Sequence, residues 1–272
     1  MDLRGRSVVL TGASGGIGAA LCDELVAAGT RVLAVGRDPL RLAQVASRHP
    51  PGQVLPLPVD LCNDSGRAQV LAAARALQAP PSLLLIAHAQ SGFGLFAEQS
   101  EQELRRMLET NLLAPMLLVR ALLPLLQAQP QAAVVAVGST FGSLGFPGFA
   151  GYSASKFGLR GLFEALAREY ADSHVRFQYL APRATRTAFN TAQVDALNQE
   201  LKVGADSPGE VARALRQAIE RGDRRLQIGW PEKLFARLNG ALPGLVDRSL
   251  KAQLPVVRRH AARVPSKPGD VR

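Results

Sequence analysis

The stretch SVVLTGASGGIGAALCDELVAAG, residues 7–29, decides the fold. Its first four residues are short and almost wholly apolar, as in a strand covered on both faces. Glycines then crowd positions 12, 15, 16 and 18, and an amphipathic helical pattern follows. Glycines in such a turn let the backbone bend tightly and approach a pyrophosphate, which rests at the positive end of the following helix. A strand before the turn and a helix after it raise the glycine cluster from a plain turn to a dinucleotide-binding signal. The residues expected to form the cradle are Gly12, Ser14, Gly16, Ile17 and Gly18.

Outward from this unit the same alternation repeats. Short apolar runs stand at 31–35, 53–59, 82–87, 132–137, 175–180 and 225–228, separated by helical stretches. Runs apolar throughout mark buried parallel strands, and the βαβα order gives an α/β doubly wound parallel sheet of about seven strands with helices on both faces. Residues 1–230 read as a single domain. Segment 183–207 has an irregular pattern and falls where a lid over a ligand crevice belongs. After it, Ser207, Pro208 and Glu210 form a helix-start signature. Residues 231–257 read as an amphipathic C-terminal extension, and 258–272 as a basic, disordered tail.

Composition narrows the function. Hydrophobic residues make up 47% and charged residues 20%, as in an ordinary globular chain. Cys22 and Cys62 form no metal-ligand spacing with the four histidines, so no metal site and no disulfide framework are expected, which fits a reducing cytoplasm. No signal peptide is expected, nor a bilayer-spanning helix, because Pro115, Arg120 and Pro124 interrupt the most apolar region. The net charge is +10, and residues 230–272 contribute nine basic and three acidic side chains to it. No nucleic-acid motif accompanies the excess, so no nucleic-acid partner is expected. The excess reads first as a solvated tail, with weak peripheral contact with an anionic membrane as the remaining partner reading.

The second strand indicates which dinucleotide binds. An acid about 20 residues beyond the glycines would hold the ribose 2′-hydroxyl of NAD. Gly36 stands there instead, followed by Arg37, whose guanidinium suits a phosphate, so NADP(H) is favoured over NAD(H). Asp38 is the competing acid, but it fits the cap of the helix opened by Pro39. Asp60, after the third strand, is a candidate acceptor for the adenine amino group, with Asp64 expected as the helix cap nearby.

Ser139 ends the fifth strand run, and thirteen residues later GYSASKFG, 151–158, puts Tyr152 and Lys156 on one helix face. With TGASGGIG, VDL, the asparagine of TNLLAP, VGSTFG, YSASK and PRATRT in this order, the chain resembles the short-chain dehydrogenase/reductase family in its short single-domain branch, from residue 5 to about 230. The resemblance implies a Rossmann-type fold and oxidoreductase activity. It implies Tyr152 as the acid or base at a carbonyl or alcohol oxygen, Lys156 holding the nicotinamide ribose, and Ser139 bonding the substrate oxygen. Asn111 would anchor a water relay, and Thr187 would stand near the nicotinamide or the phosphates. A homodimer or homotetramer built on the helices after Asn111 and Tyr152 is also implied. TGASGGIG further satisfies the spacing of the longer sugar-nucleotide epimerases, but the short chain and the Ser139–Tyr152 interval argue against them.

A free tyrosine has a pKa of about 10, and a nearby ammonium is expected to lower it. The chain departs from the family where Asn-Ala-Gly becomes His88, Ala89 and Gln90, which leaves Ala89 as the cofactor-contacting residue and adds bulk at Gln90. Arg183 replaces the glycine after Pro182, either near an anionic group or facing solvent. His88 is read as a sheet-stabilising hydrogen bonder, with an extra catalytic base as its alternative. The expected reaction moves a hydride between NADP(H) and the carbonyl or secondary alcohol of an apolar, lipid-like small molecule. Its expected pocket is lined by Phe93, Phe141, Leu144, Phe146, Phe149 and Phe189. The alternative is a low-turnover NADP(H)-binding sensor or scaffold.

Overall fold

The computed structural model describes residues 1–262. Seven strands form one parallel sheet: β1 (Ser7–Thr11), β2 (Arg31–Gly36), β3 (Val54–Pro58), β4 (Pro81–Ile86), β5 (Ala132–Val137), β6 (Val175–Ala181) and β7 (Arg225–Gln227). Their spatial order is β3-β2-β1-β4-β5-β6-β7, so the order reverses between β1 and β4. Ligand crevices open at such a switch point, beyond the carboxyl ends of the strands. Every strand lies within a residue or two of its apolar run in the sequence.

The helices are α1 (Gly16–Ala27), α2 (Pro39–Ala46), α3 (Asp64–Arg75), α4 (Glu101–Leu108), α5 (Ala114–Gln127), α6 (Ala150–Glu169), α7 (Ala192–Glu200), α8 (Pro208–Arg221), α9 (Glu232–Ala241) and α10 (Pro243–Ala261). Alternation along β1 shows why both faces need cover. Val8 and Leu10 enter the core with Leu21 and Leu25 of α1 and Val211, Leu215 and Ile219 of α8. Val9 points the other way, to Val70 of α3, Leu118 and Leu122 of α5, and Leu159 and Phe163 of α6. Full burial of each such side chain contributes about 1.5–3 kcal/mol. The predicted helix starts at Asp38 and Ser207 form. Asp38 accepts from the Leu40 and Arg41 amides, and Ser207 exchanges bonds with Glu210 in a capping box.

β3 closes one edge of the sheet with the sequence VLPLP. Val32 N–H donates to Gln53 O and Val59 N–H donates to Gly36 O, so the odd-numbered residues of this strand face β2. Residues 54, 56 and 58 therefore present their backbone groups outward, and two of these three are proline.

Four local expectations change. The lid segment is not wholly irregular: α7 forms inside it, capped by the Thr191 side chain on the Val194 amide, with Val194 and Leu197 buried. Helix α10 continues through 258–261, where a disordered tail was expected. Val257 and Ala261 are buried, and Arg259 and His260 both reach Glu200 at the end of α7. The rest of that tail, 263–272, lies outside the described residues. Pro115 and Pro124 do not break the apolar region. Residues 101–127 run as one helix with a π-helical turn at Glu109–Leu113, long and apolar enough to span a bilayer, although Leu118, Leu122 and Leu126 pack into the core. The cap of α3 is Asn63 rather than Asp64, and Asp64 instead pairs with Arg67.

Candidate active site

A cavity of about 1680 Å³ opens across the carboxyl ends of the strands. At its floor Gly12 adopts φ +68, and a Cβ there would lie 2.6 Å from the His88 amide nitrogen, so only glycine fits. Ser14, Gly15, Gly16, Ile17 and Gly18 continue the wall into the start of α1. A Cβ on Gly16 would come within 2.5 Å of the Thr187 methyl, so the lid threonine closes directly over the glycine turn. Arg37 lines the cavity just past β2, is exposed, and makes no ion pair among the described residues. Asp38 is spent on its cap. Asp60 also lines the cavity, and one of its oxygens accepts from the Cys62 amide in a local turn. These features fit a dinucleotide: bare backbone at the helix start, an uncommitted guanidinium at the ribose position and an acceptor farther along.

The shelf after β4 differs from the bulky obstruction that Gln90 suggested. The cavity is lined by Ala87, His88, Ala89 and Ser91, and Gln90 is not among its lining residues. Asn111 explains this. Held inside the π-helical turn and fully buried, it accepts from the Gln90 amide (2.7 Å) and donates to the Gln90 carbonyl (2.9 Å) and Ser155 Oγ (3.0 Å). Ser155 in turn donates to the Tyr152 carbonyl (2.7 Å). Asn111 thus ties the shelf to α6. The bond partner of His88 is Thr11. Thr11 Oγ1 donates to Leu85 O and stands 2.7 Å from His88 Nδ1. The Thr110 backbone is a second hydrogen-bonding neighbour of the imidazole. Burial, with Lys156 and Arg37 adding to it, holds the His88 pKa down at about 4, so the ring is neutral near pH 7.

Tyr152, Lys156 and Ser139 converge where β5 ends and α6 begins. Tyr152 is 8% exposed and Lys156 2%. Lys156 Nζ donates to Val137 O at 3.2 Å and lies 5.8 Å from the centre of the Tyr152 ring. Ser139 Oγ accepts from the Phe141 amide. The expected lowering of the tyrosine pKa does not occur in this environment. Burial dominates and pushes the phenol up to about 12, with the Ser139 side chain pulling the other way. Burial likewise brings Lys156 down to about 8.

Arg183 lines the cavity, with its guanidinium held by acidic side chains. It grips Asp206 with two bonds of 2.6 and 3.0 Å and lies 3.8 Å from Glu232, and these partners raise its pKa. It therefore joins the chain after β6, the end of the lid and α9. Phe141, Leu144, Phe146, Phe149 and Phe189 line the cavity as expected. Phe93 does not, and packs behind Phe149 with ring centres 4.8 Å apart. The sequence did not reveal Tyr179, whose buried hydroxyl lies near the Ser139 amide and the Lys156 carbonyl. Its signal was register: Tyr179 pairs with Ala136, just upstream of Ser139. Leu197 of α7, Phe235 of α9, and Val246 and Leu250 of α10 complete the roof.

The short chain dehydrogenase family model matches residues 6–198. Oxidoreductase claN of Passalora fulva is 31% identical over 218 residues, covering 78% of this chain and 97% of its own. Ketoacyl reductase HetN of a Nostoc species is 30% identical over 220 residues, covering 80% and 76%. A short chain dehydrogenase from Burkholderia cenocepacia, solved in complex with NADP, shares the fold at a TM-score of 0.79 and 23% identity, covering 92% of this chain and 99% of that one.

Proposed function

The chain belongs to the short-chain dehydrogenase family, and from that premise we propose that it is an NADPH-preferring reductase of ketones carried on apolar molecules. The observation that carries this reading is a protonated, buried phenol beside a serine hydroxyl, at the junction of a phosphate-type cradle and a phenylalanine-rich chamber. A bound nicotinamide dinucleotide supplies the hydride. Gly12, Ser14, Gly16, Ile17 and Gly18 would receive its pyrophosphate, Arg37 its 2′-phosphate, Asp60 its adenine, and Ala89 and Thr187 its nicotinamide half.

The chain's own residues handle orientation and the proton. Ser139 donates to the carbonyl oxygen and fixes its direction. Tyr152 gives that oxygen a proton as negative charge develops on it. With its pKa pushed up to about 12, the phenol rests protonated at neutral pH, the form that gives a proton to a carbonyl oxygen. Lys156, largely cationic at pH 7 with a pKa of about 8, steadies the phenolate left behind. Asn111 would anchor a water that leads from Lys156 to solvent as the return path for a proton.

Apolar substrate specificity is supported by Phe141, Phe146, Phe149 and Phe189 with Leu197 and Val246 around the chamber. Assembly as a homodimer or homotetramer through α5 and α6 is supported by exposed Leu113, Met116 and Phe157. We assign the reaction to the cytoplasm, in keeping with two free cysteines. The test is NADPH consumption with ketones of increasing chain length. Turnover that rises with chain length and vanishes in Tyr152→Phe supports the proposal. Equal turnover by wild type and Tyr152→Phe would remove it.

A further inference from the structure

The hairpin of α9 and α10 carries a surface that the reductase reading does not use. Three contacts fix the inner face of α9. Glu232 lies against Arg183, Phe235 enters the cavity wall, and Asn239 donates to the Ser143 carbonyl (3.0 Å). Positions 232, 235 and 239 share one side of a helix, so 234, 237 and 241 face away from the protein. Those outward positions are Leu234, Arg237 and Ala241, all exposed, and α9 buries none of its residues fully. The corner between the helices, GALPGL at 240–245, is exposed at every residue and carries no charge. Leu242 is 53% exposed, Leu245 55%, and Trp230, just before α9, 68%.

Charge selects the partner. Between Trp230 and Ala262 there are six basic side chains and two acidic ones, and the stretch 233–246 contains no acid. Glu232 is engaged by Arg183 and Arg259 by Glu200, which leaves five basic side chains against the single acid Asp247. Arg237 and Arg248 each stand within a turn of the corner, with Lys233 and Lys251 beyond them. Apolar side chains at a tip flanked by arginines and lysines match the boundary between lipid headgroups and acyl chains. A second copy of the same hairpin would bring two cationic faces together.

We propose that the α9–α10 corner docks on an anionic lipid bilayer, with Leu242 and Leu245 entering the acyl boundary and Arg237, Arg248 and their neighbouring lysines contacting headgroups. Phe235, Val246 and Leu250 of the same hairpin roof the cavity. Docking therefore turns the apolar end of the cavity toward the membrane, and this last consequence rests on the apolar-ketone reading above.

Flotation of the full chain with phosphatidylcholine vesicles, with and without phosphatidylglycerol, tests the docking itself. The expected result is flotation only with phosphatidylglycerol present, reversed by added salt. Emission from Trp230, the single tryptophan, should move to shorter wavelength on binding. Arg237→Glu with Arg248→Glu should lower the partition coefficient at least about 25-fold, at about fivefold per basic residue lost. Leu242→Ser with Leu245→Ser should lower it more than about tenfold. Thermal melting by circular dichroism checks that both variants stay folded.

Absence of flotation by the wild type, or equal flotation by either folded variant, overturns the proposal. So does a serine variant that floats normally but loses a dimer in sedimentation velocity, because that assigns the corner to a second copy. Flotation measures no turnover, so it fails separately from the reductase proposal.

Discussion

Replacing His88 with asparagine should make the protein less sensitive to acid. In the fold the imidazole is neutral and has a pKa of about 4, whereas an unfolded histidine titrates at 6.5. Below pH 6.5 the unfolded chain takes up a proton that the native chain refuses, so acid favours unfolding. The stability held by the neutral ring is complete above pH 6.5 and is lost as pH falls toward 4. That separation, at about 1.4 kcal/mol per pH unit, is worth roughly 3 kcal/mol in total and about 2 kcal/mol by pH 5. This is a large share of a typical domain stability of about 5–15 kcal/mol. Urea unfolding of wild type and His88→Asn between pH 7.5 and 4.5 isolates the effect, since the other titrating groups are common to both. The stability difference between the two proteins should change by about 2 kcal/mol, in favour of the variant, between pH 7.5 and 5. A constant difference across that range would show that His88 is not held neutral by its surroundings.

Tyr152→Phe should cut kcat by about 10²–10⁴-fold while leaving NADPH affinity measured by fluorescence titration nearly intact. Arg37→Ser should remove about 1.5–3 kcal/mol of charge-assisted bonding and weaken NADPH binding about tenfold to a hundredfold, with NADH affinity unchanged in the same titration. Asn111→Leu breaks three buried hydrogen bonds and frees the Gln90 shelf. It should cost about 3 kcal/mol in urea melts and raise KM for the cofactor, whereas a purely structural loss would leave KM alone. Asp206→Asn leaves Arg183 with a weaker partner at the lid, and chemical denaturation should show a loss of about 2 kcal/mol.

The sheet was legible because parallel strands buried on both faces are apolar at nearly every position, as in AAVVAV at 132–137. The glycine turn is legible because close backbone approach excludes side chains; that Gly12 meets the His88 backbone is visible only in the fold. Helix α7 was harder to see. Its buried face rests on little more than Val194 and Leu197, too few to set a period against polar neighbours. The partner of Arg183 lay 23 residues away across the lid, and no local pattern announces such a pairing. The direction of the Tyr152 pKa is hidden in the sequence for a related reason. A lysine four residues away is visible in the chain, but the burial that outweighs it comes from Phe141, Phe149 and Phe189, which gather around the ring only in three dimensions. Phe93 and Phe149 cannot be told apart as packing or lining by composition.

The two prolines of β3 have a consequence for the protein's behaviour at high concentration. An open sheet edge is a template on which another strand can zip, and unchecked repetition of that step yields fibrils and precipitates. At this edge the outward positions 56 and 58 carry no N–H at all, so an incoming strand finds acceptors without the matching donors. At the far edge, β7 is only three residues long. The sheet is thus a finished object, protected against runaway polymerisation by the chemistry of its own backbone.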